Sequence, residues 1–223
     1  IKQEKNMIVN NNIIEYINSL EGELPTHLKE LEEIALRDNV PIIKKETQSL
    51  IRFLLTLIRP KRILEIGAAI GFSAIYMSEY MPEDCTITTI EKVEMRLEKA
   101  RVNLSSCPKS DKISLLEGDA LIILEELAGK EEGLYDFIFL DAAKAQYINF
   151  LPHILKLLSP RGILITDNVL QDGTIAGSRY AIRRRDRTIH TRMREYLYTI
   201  THMEELETVV IPIGDGVTLT TKR

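Results

Sequence analysis

The sequence has no tryptophan, two cysteines and four histidines among 223 residues. Cys85 and Cys107 stand in unrelated contexts, form no metal-binding spacing, and fit a reduced cytoplasm. His27, His153, His190 and His202 also lack ligand spacing, so structural or solvent-facing roles are expected. The longest apolar runs, such as Ile63–Ile66 and Phe137–Leu140, are far too short to span a bilayer. No basic-plus-apolar leader is recognisable ahead of them, and a cytoplasmic protein is expected. The sequence opens on Ile1, so residues 1–6 need not be native, and Met7 is a candidate initiator. Repeats and low-complexity segments are missing too. A net charge of −4 argues against general coating of nucleic acid but leaves room for a local basic patch.

What is present is ordinary for a soluble globular chain: 44% hydrophobic and 28% charged residues. The length suits one domain, residues 1–223, with a helical extension over 1–58 and a core over 59–223. In the extension, Ile13, Ile14, Ile17 and Leu20 recur at helical spacing, as do Leu28, Leu31 and Ile34 behind Pro25-Thr26. A third run, Leu50, Ile51, Leu54, Leu55 and Ile58, stops at Pro60. These helices pack either on the core or on a second subunit.

Beyond Pro60 the pattern alternates. Apolar runs at Arg62–Ile66, Thr86–Ile90, Ile113–Leu116, Phe137–Leu140 and Gly162–Thr166 are separated by amphipathic stretches such as Val93–Leu104 and Tyr147–Leu158. Such runs suit strands buried on both faces of a parallel sheet. Glu207–Ile213, Gly214-Asp215-Gly216 and Val217–Thr221 then read as a closing hairpin. The expected fold is α/β, a doubly wound, mostly parallel seven-stranded sheet with an antiparallel C-terminal hairpin.

Ligands of open α/β sheets sit beyond the carboxyl ends of the strands. The first strand ends Glu65-Ile66-Gly67, followed by Gly71 and Ser73. This is not the G-x-G-x-x-G of a dinucleotide site, and Glu65 would repel a pyrophosphate. A nucleoside with positive charge and no phosphate fits better, and S-adenosylmethionine is such a ligand. Glu91 ends the second strand, where a carboxylate can accept ribose hydroxyls. Asp119 in Gly118-Asp119-Ala120 ends the third and either accepts from an adenine amino group or caps the next helix.

The fourth and fifth strands end in Asp141 and in Asp167-Asn168. Two carboxylates and an amide oxygen make a hard oxygen site for Mg²⁺ or Mn²⁺, with coordination left for two vicinal substrate oxygens. A hydroxyl held there loses its proton more easily. Lys144, three residues past Asp141, either takes that proton or steadies the anion.

With Glu65-Ile66-Gly67, Ser73, Glu91, Gly118-Asp119-Ala120, Asp141-x-x-Lys144, Asp167-Asn168-Val169-Leu170 and Gly214-Asp215-Gly216, the chain resembles the cation-dependent O-methyltransferases of the catechol and caffeoyl-CoA type. The resemblance implies a class I methyltransferase fold, a homodimer, and metal ligation by Asp141, Asp167 and Asn168. It implies donor contacts from Ser73, Glu91, Asp119, Ala120 and Asp141, with Ile43 closing over the donor. Val40-Pro41-Ile42 and an arginine-rich segment add a likeness to bacterial members that methylate 5-hydroxyuridine in the tRNA anticodon. That implies tRNA as the partner, with a free catechol or hydroxycinnamoyl-CoA as the alternative. Arg179, Arg183, Arg184, Arg185, Arg187, Arg192 and Arg194 crowd one segment of an acidic chain. They either meet anticodon-loop phosphates, Arg183–Arg185 foremost, or face solvent and pair with Asp186 and Glu195.

Overall fold

The computed structural model describes residues 9–130 and 133–223, so the question of Ile1–Asn6 and Met7 lies outside the described residues. Three helices come first: α1 Asn11–Ser19, α2 Thr26–Arg37 and α3 Lys45–Ile58. The α3 helix stops where Arg59 turns left-handed (φ 51°) ahead of Pro60, which cannot continue it. The core follows as β1 Arg62–Ile66, α4 Phe72–Tyr80, β2 Thr86–Glu91, α5 Glu94–Ser106, β3 Ile113–Glu117, α6 Ala120–Gly129, β4 Tyr135–Leu140, α7 Tyr147–Leu157 and β5 Leu158–Thr166. It closes with α8 Arg187–His202, β6 Leu206–Ile211 and β7 Val217–Lys222.

The seven strands are ordered β3-β2-β1-β4-β5-β7-β6. The first five are parallel; β7 runs antiparallel between β5 and β6. The expected sheet and its antiparallel hairpin are therefore present. Most strand boundaries fall within two residues of those expected, and the largest difference is in the fifth strand. The fifth strand begins at Leu158 rather than Gly162, because Tyr135 pairs with Leu158 and Phe137 with Ile163, a bulge spanning Pro160 and left-handed Arg161.

Period-two alternation divides the core. Ile63, Phe137, Phe139 and Ile165 join one buried cluster with side chains of α2, α3, α4 and α5. Leu64, Ile66, Ile138, Leu140 and Leu164 join the other with α6, α7 and α8. With both faces covered, each fully buried aliphatic or aromatic side chain contributes about 1.5–3 kcal/mol. Strand ends are thereby held rigid where β1, β4 and β5 finish side by side.

The extension behaves less uniformly. Leu28 and Leu31 are buried, but Ile34 is exposed and Ala35 takes its place in the core. No residue of α1 is buried, although Ile13, Tyr16 and Ile17 line one face. Cys85 and Cys107 are buried and free. Among the described residues no helix is long and apolar enough to cross a membrane.

Candidate active site

The loop after β1 rises from Gly67, whose φ of 107° is open to glycine and strained for other residues. A Cβ there would lie 2.1 Å from the carbonyl oxygen of Asp141. The glycine thus lets the ends of β1 and β4 touch, a chain–chain requirement. Gly71, also left-handed, starts α4, and a Cβ on it would press on Leu104 at 3.1 Å.

Glu65 is fully buried beneath this loop. Its Oε2 accepts from the Thr89 hydroxyl. Oε1 has no well-formed hydrogen bond among the described residues, though the Ser73 hydroxyl is near enough to favour the ionised form. Burial, above all, pushes the carboxyl up to about 7, and the charges of Asp141 and Glu91 add to it. A buried acid with a free oxygen is suited to a cationic partner such as an ammonium group.

Glu91 is almost fully buried, and the chain itself engages both its oxygens. Oε2 accepts from Ala69 N (2.9 Å), and Oε1 from Lys92 N (2.9 Å) and Val93 N (3.0 Å). This carboxylate therefore shapes the Gly67–Gly71 loop, with roughly one of its four acceptor positions spare for a ribose hydroxyl. Arg96 stands 3.9 Å away. Asp119 caps α6 by accepting from Leu121 N (2.9 Å), with Lys92 at 3.1 Å on its other oxygen, and α6 opens on Ala120. The Lys92 bond first, then the cap, hold the Asp119 carboxyl below the usual range. Ile43 is buried in the core beside α3, its carbonyl bound by Gln48 Nε2 at 2.9 Å.

At the other end, Leu140 pairs with Thr166, so Asp141 and Asp167 leave adjacent parallel strands at the same level, roughly 5 Å apart in backbone spacing. Asp141 N bonds Ile66 O and Asp167 N bonds Leu140 O, both at 3.0 Å, which carries the ladder right up to the carboxylates. Burial pushes both carboxyls up, with the charge of Asp141 adding to it at Asp167 and that of Asp215 at both; Lys144 and Arg96 pull Asp141 partly back. Asn168 is left-handed (φ 60°) and donates its N–H to Asp167 Oδ1 at 2.7 Å. Lys144 opens a short 3₁₀ turn leading into α7, where its charge bears on both aspartates. Beneath them, Tyr147 donates to Asp167 O at 3.3 Å and sits edge-on to Tyr196.

The residues proposed for a cation thus sit together, Asp167 buried and Asp141 and Asn168 half-buried. Among the described residues no cluster of three or more His, Cys, Asp or Glu forms a metal site; the third oxygen beside the two aspartates belongs to an amide, that of Asn168. Two carboxylates and an amide fit a divalent cation.

Several neighbours were not evident from sequence. The turn between β6 and β7 folds onto the Asp167–Leu170 loop, with Val169 N on Gly216 O and Leu170 N on Asp215 O, both at 2.9 Å. Asp215 contacts Asn168 Nδ2 (3.3 Å) and Lys44 Nζ (2.6 Å). The arginine-rich segment divides in two. Arg192 donates to Ala145 O and Arg194 to Ile175 O, each at 3.1 Å, bracing the loops beside Lys144. Arg179, Arg183, Arg184 and Arg185 are exposed. Of the acidic partners expected, Arg185 approaches Asp186 at 3.7 Å. Buried His190 meets Gly177 O at 3.2 Å, and His27 meets Glu79 at 3.1 Å, both structural contacts. A polar cleft of about 280 Å³ between the N-terminal helices, lined by Glu21, Ser49, Arg52 and Tyr76, lies away from the strand ends.

A family model described as O-methyltransferase matches residues 18–223. The chain belongs to this family. Its enzyme class is accordingly methyl transfer to oxygen. This O-methyltransferase is 28% identical to caffeoyl-CoA O-methyltransferase 2 of Zea mays, over 96% of the chain and 84% of the maize protein. It is 30% identical to caffeoyl-CoA O-methyltransferase 1 of Eucalyptus globulus, over 87% of the chain and 81% of that protein. The S-adenosylhomocysteine-bound methyltransferase of Podospora anserina superposes with a TM-score of 0.84 at 26% identity, covering 96% of this chain and 94% of that one.

Proposed function

We propose that this O-methyltransferase uses S-adenosylmethionine and a divalent cation, Mg²⁺ or Mn²⁺, to methylate one of two vicinal oxygens on a catechol-like substrate of the hydroxycinnamoyl-CoA class. The observation that carries the reading is the pair Asp141, half-buried, and Asp167, buried, at adjacent strand ends, with Asn168 and Lys144 beside them. The names of the plant relatives support the substrate class.

On the donor side, Glu65 holds the ammonium, Glu91 the ribose and Asp119 the adenine amino group, with Gly67, Ser73 and Ala120 lining the loop. On the acceptor side, Asp141, Asp167 and Asn168 would hold the cation, which would supply positive charge that favours proton loss from the acceptor hydroxyl. Lys144 receives that proton or steadies the anion. The oxygen then takes the methyl group: a C–O bond forms, the C–S bond of the sulfonium breaks, and S-adenosylhomocysteine leaves with the methyl ether. The exposed face of Ile13, Tyr16 and Ile17, with Phe53 and Leu57 exposed on α3, supports a homodimer built on the N-terminal helices.

A second reading is favoured by one observation. Arg179, Arg183, Arg184 and Arg185 are exposed at the end of the loop that follows the Asp167–Leu170 segment, where they suit a polyphosphate such as an RNA backbone. That reading makes the acceptor 5-hydroxyuridine of tRNA, whose 5-hydroxyl neighbours O4 and chelates as a catechol does.

One assay decides between them. Purified protein is incubated with methyl-labelled donor and Mg²⁺ beside caffeoyl-CoA or tRNA carrying 5-hydroxyuridine, with and without excess chelator. Label is expected in caffeoyl-CoA and to vanish with chelator. Label in tRNA alone would move the assignment to the second reading, and Arg183–Arg185→Ala should then weaken tRNA binding and flatten its salt dependence. Full transfer under chelator would overturn the metal mechanism.

A further inference from the structure

We infer that Asp215 is a positioning residue of the metal end: its carboxylate turns the Asn168 carboxamide so that the amide oxygen is left for the cation, and Lys44 anchors that carboxylate from the opposite side. The inference rests on the metal reading above.

The argument begins with donor and acceptor chemistry. An ionised carboxylate only accepts hydrogen bonds, whereas a carboxamide has one accepting and one donating end. The end of Asn168 that meets Asp215 Oδ2 is therefore Nδ2, at 3.3 Å. Oδ1 is consequently directed away from Asp215. Without that carboxylate nothing of this kind selects between the two ends of the amide, and an amide nitrogen is no ligand for a hard cation.

Asp215 is itself constrained. Lys44 Nζ holds its Oδ1 at 2.6 Å, and its backbone carbonyl accepts from Leu170 N at 2.9 Å. The turn that carries it has no slack. Gly214 and Gly216 are both left-handed, and a Cβ on Gly216 would lie 2.3 Å from the Leu170 side chain. A Cβ on Gly214 would meet Thr47 Oγ1 at 3.0 Å. The turn is thus wedged between the start of α3 and the loop bearing Asn168.

The ammonium has a second effect. Asp215 places a third carboxylate beside the Asn168 amide, and the Lys44 ammonium occupies one of its two oxygens. Lys44 offsets that charge and lets Asp215 serve as an acceptor for the amide without competing as a cation ligand. A residue between α2 and α3 and a residue in the last turn therefore cooperate on one metal donor, 171 positions apart in sequence.

The test is Mn²⁺ binding by the full chain, followed by loss of the free-ion electron paramagnetic resonance signal and by calorimetry. S-adenosylhomocysteine affinity is measured on the same samples. Removal of an outer-shell partner weakens metal binding about 10–100-fold. Asp215→Ala is expected to fall in that range, and Lys44→Met to show a smaller loss in the same direction. S-adenosylhomocysteine affinity should stay unchanged in both. If Asp215→Ala does not fold, Asp215→Asn carries the test: it keeps an accepting oxygen, loses the lysine pair, and should match Lys44→Met. Wild-type protein that takes up no Mn²⁺ would overturn the metal reading itself. Wild type that binds Mn²⁺ while the Asp215 variant binds it equally well would overturn this inference alone. Parallel loss of Mn²⁺ and S-adenosylhomocysteine would reduce Asp215 to a structural role and also overturn it.

Discussion

The two ends of the sheet treat their carboxylates differently. On the β1–β2–β3 side, Glu91 and Asp119 are satisfied by the chain itself, through backbone N–H groups and Lys92. On the β4–β5 side, Asp141 and Asp167 face each other across one strand spacing, and burial pushes both up. The first arrangement gives a cleft whose shape exists before anything enters it. The second holds two carboxyls that burial pushes up and gains most from a cation. Preorganisation on one side and unmet charge on the other suit a donor that binds by shape and an acceptor that binds through an ion. Glu65 is the exception on the donor side, a buried acid with a free oxygen.

Asp167→Ala should break the metal end alone. Transfer is expected to fall at least about a thousandfold, since a polarising cation contributes several kcal/mol, with S-adenosylhomocysteine affinity preserved. Initial rates and calorimetry check this, and loss of donor binding as well would dissolve the distinction between the two ends.

Gly67→Ala should break both ends together. Its Cβ would meet Asp141 O at 2.1 Å on a backbone at φ 107°, and a destabilisation of about 3–5 kcal/mol is expected. Denaturant unfolding measures it. A loss under 1 kcal/mol would mean that the two strand ends separate easily.

The pH dependence of the ligand-free protein sharpens the donor side. Glu65 titrates near its ordinary 4.5 when unfolded and at about 7 when folded. Between those values the native state binds the extra proton, so stability is greatest below about pH 4.5 as far as this group is concerned, and falls as pH rises to about 7. The displacement corresponds to at most about 3 kcal/mol. Glu65→Gln should flatten that part of a urea stability profile recorded from pH 5 to pH 8, and an unchanged slope would show that Glu65 is ionised in the fold.

Local pattern made much of this legible. Strand β1 falls on Arg62–Ile66 as the apolar run indicates, and the strand-end acids lie where parallel strands must deliver them. What could not be read involves residues distant in sequence. Asp215 in a Gly-Asp-Gly turn reads as hairpin chemistry until the turn is seen folded against Asn168, and Lys44 reads as a surface lysine until Asp215 meets it. Arg192 and Arg194 belong by composition to a basic patch, yet donate to loop carbonyls. The start of β5 was hidden because Pro160 and Arg161 interrupt the pairing that resumes at Ile163.

The contact between Gly67 and the Asp141 carbonyl also bears on how such a protein can change. With no room for even one carbon atom, the separation between the ends of β1 and β4 is set by a backbone contact. On the proposed reading, new acceptors would then come from the rim, by exchanging the 171–182 segment or the N-terminal helices, while the contact between the two strand ends stays as it is.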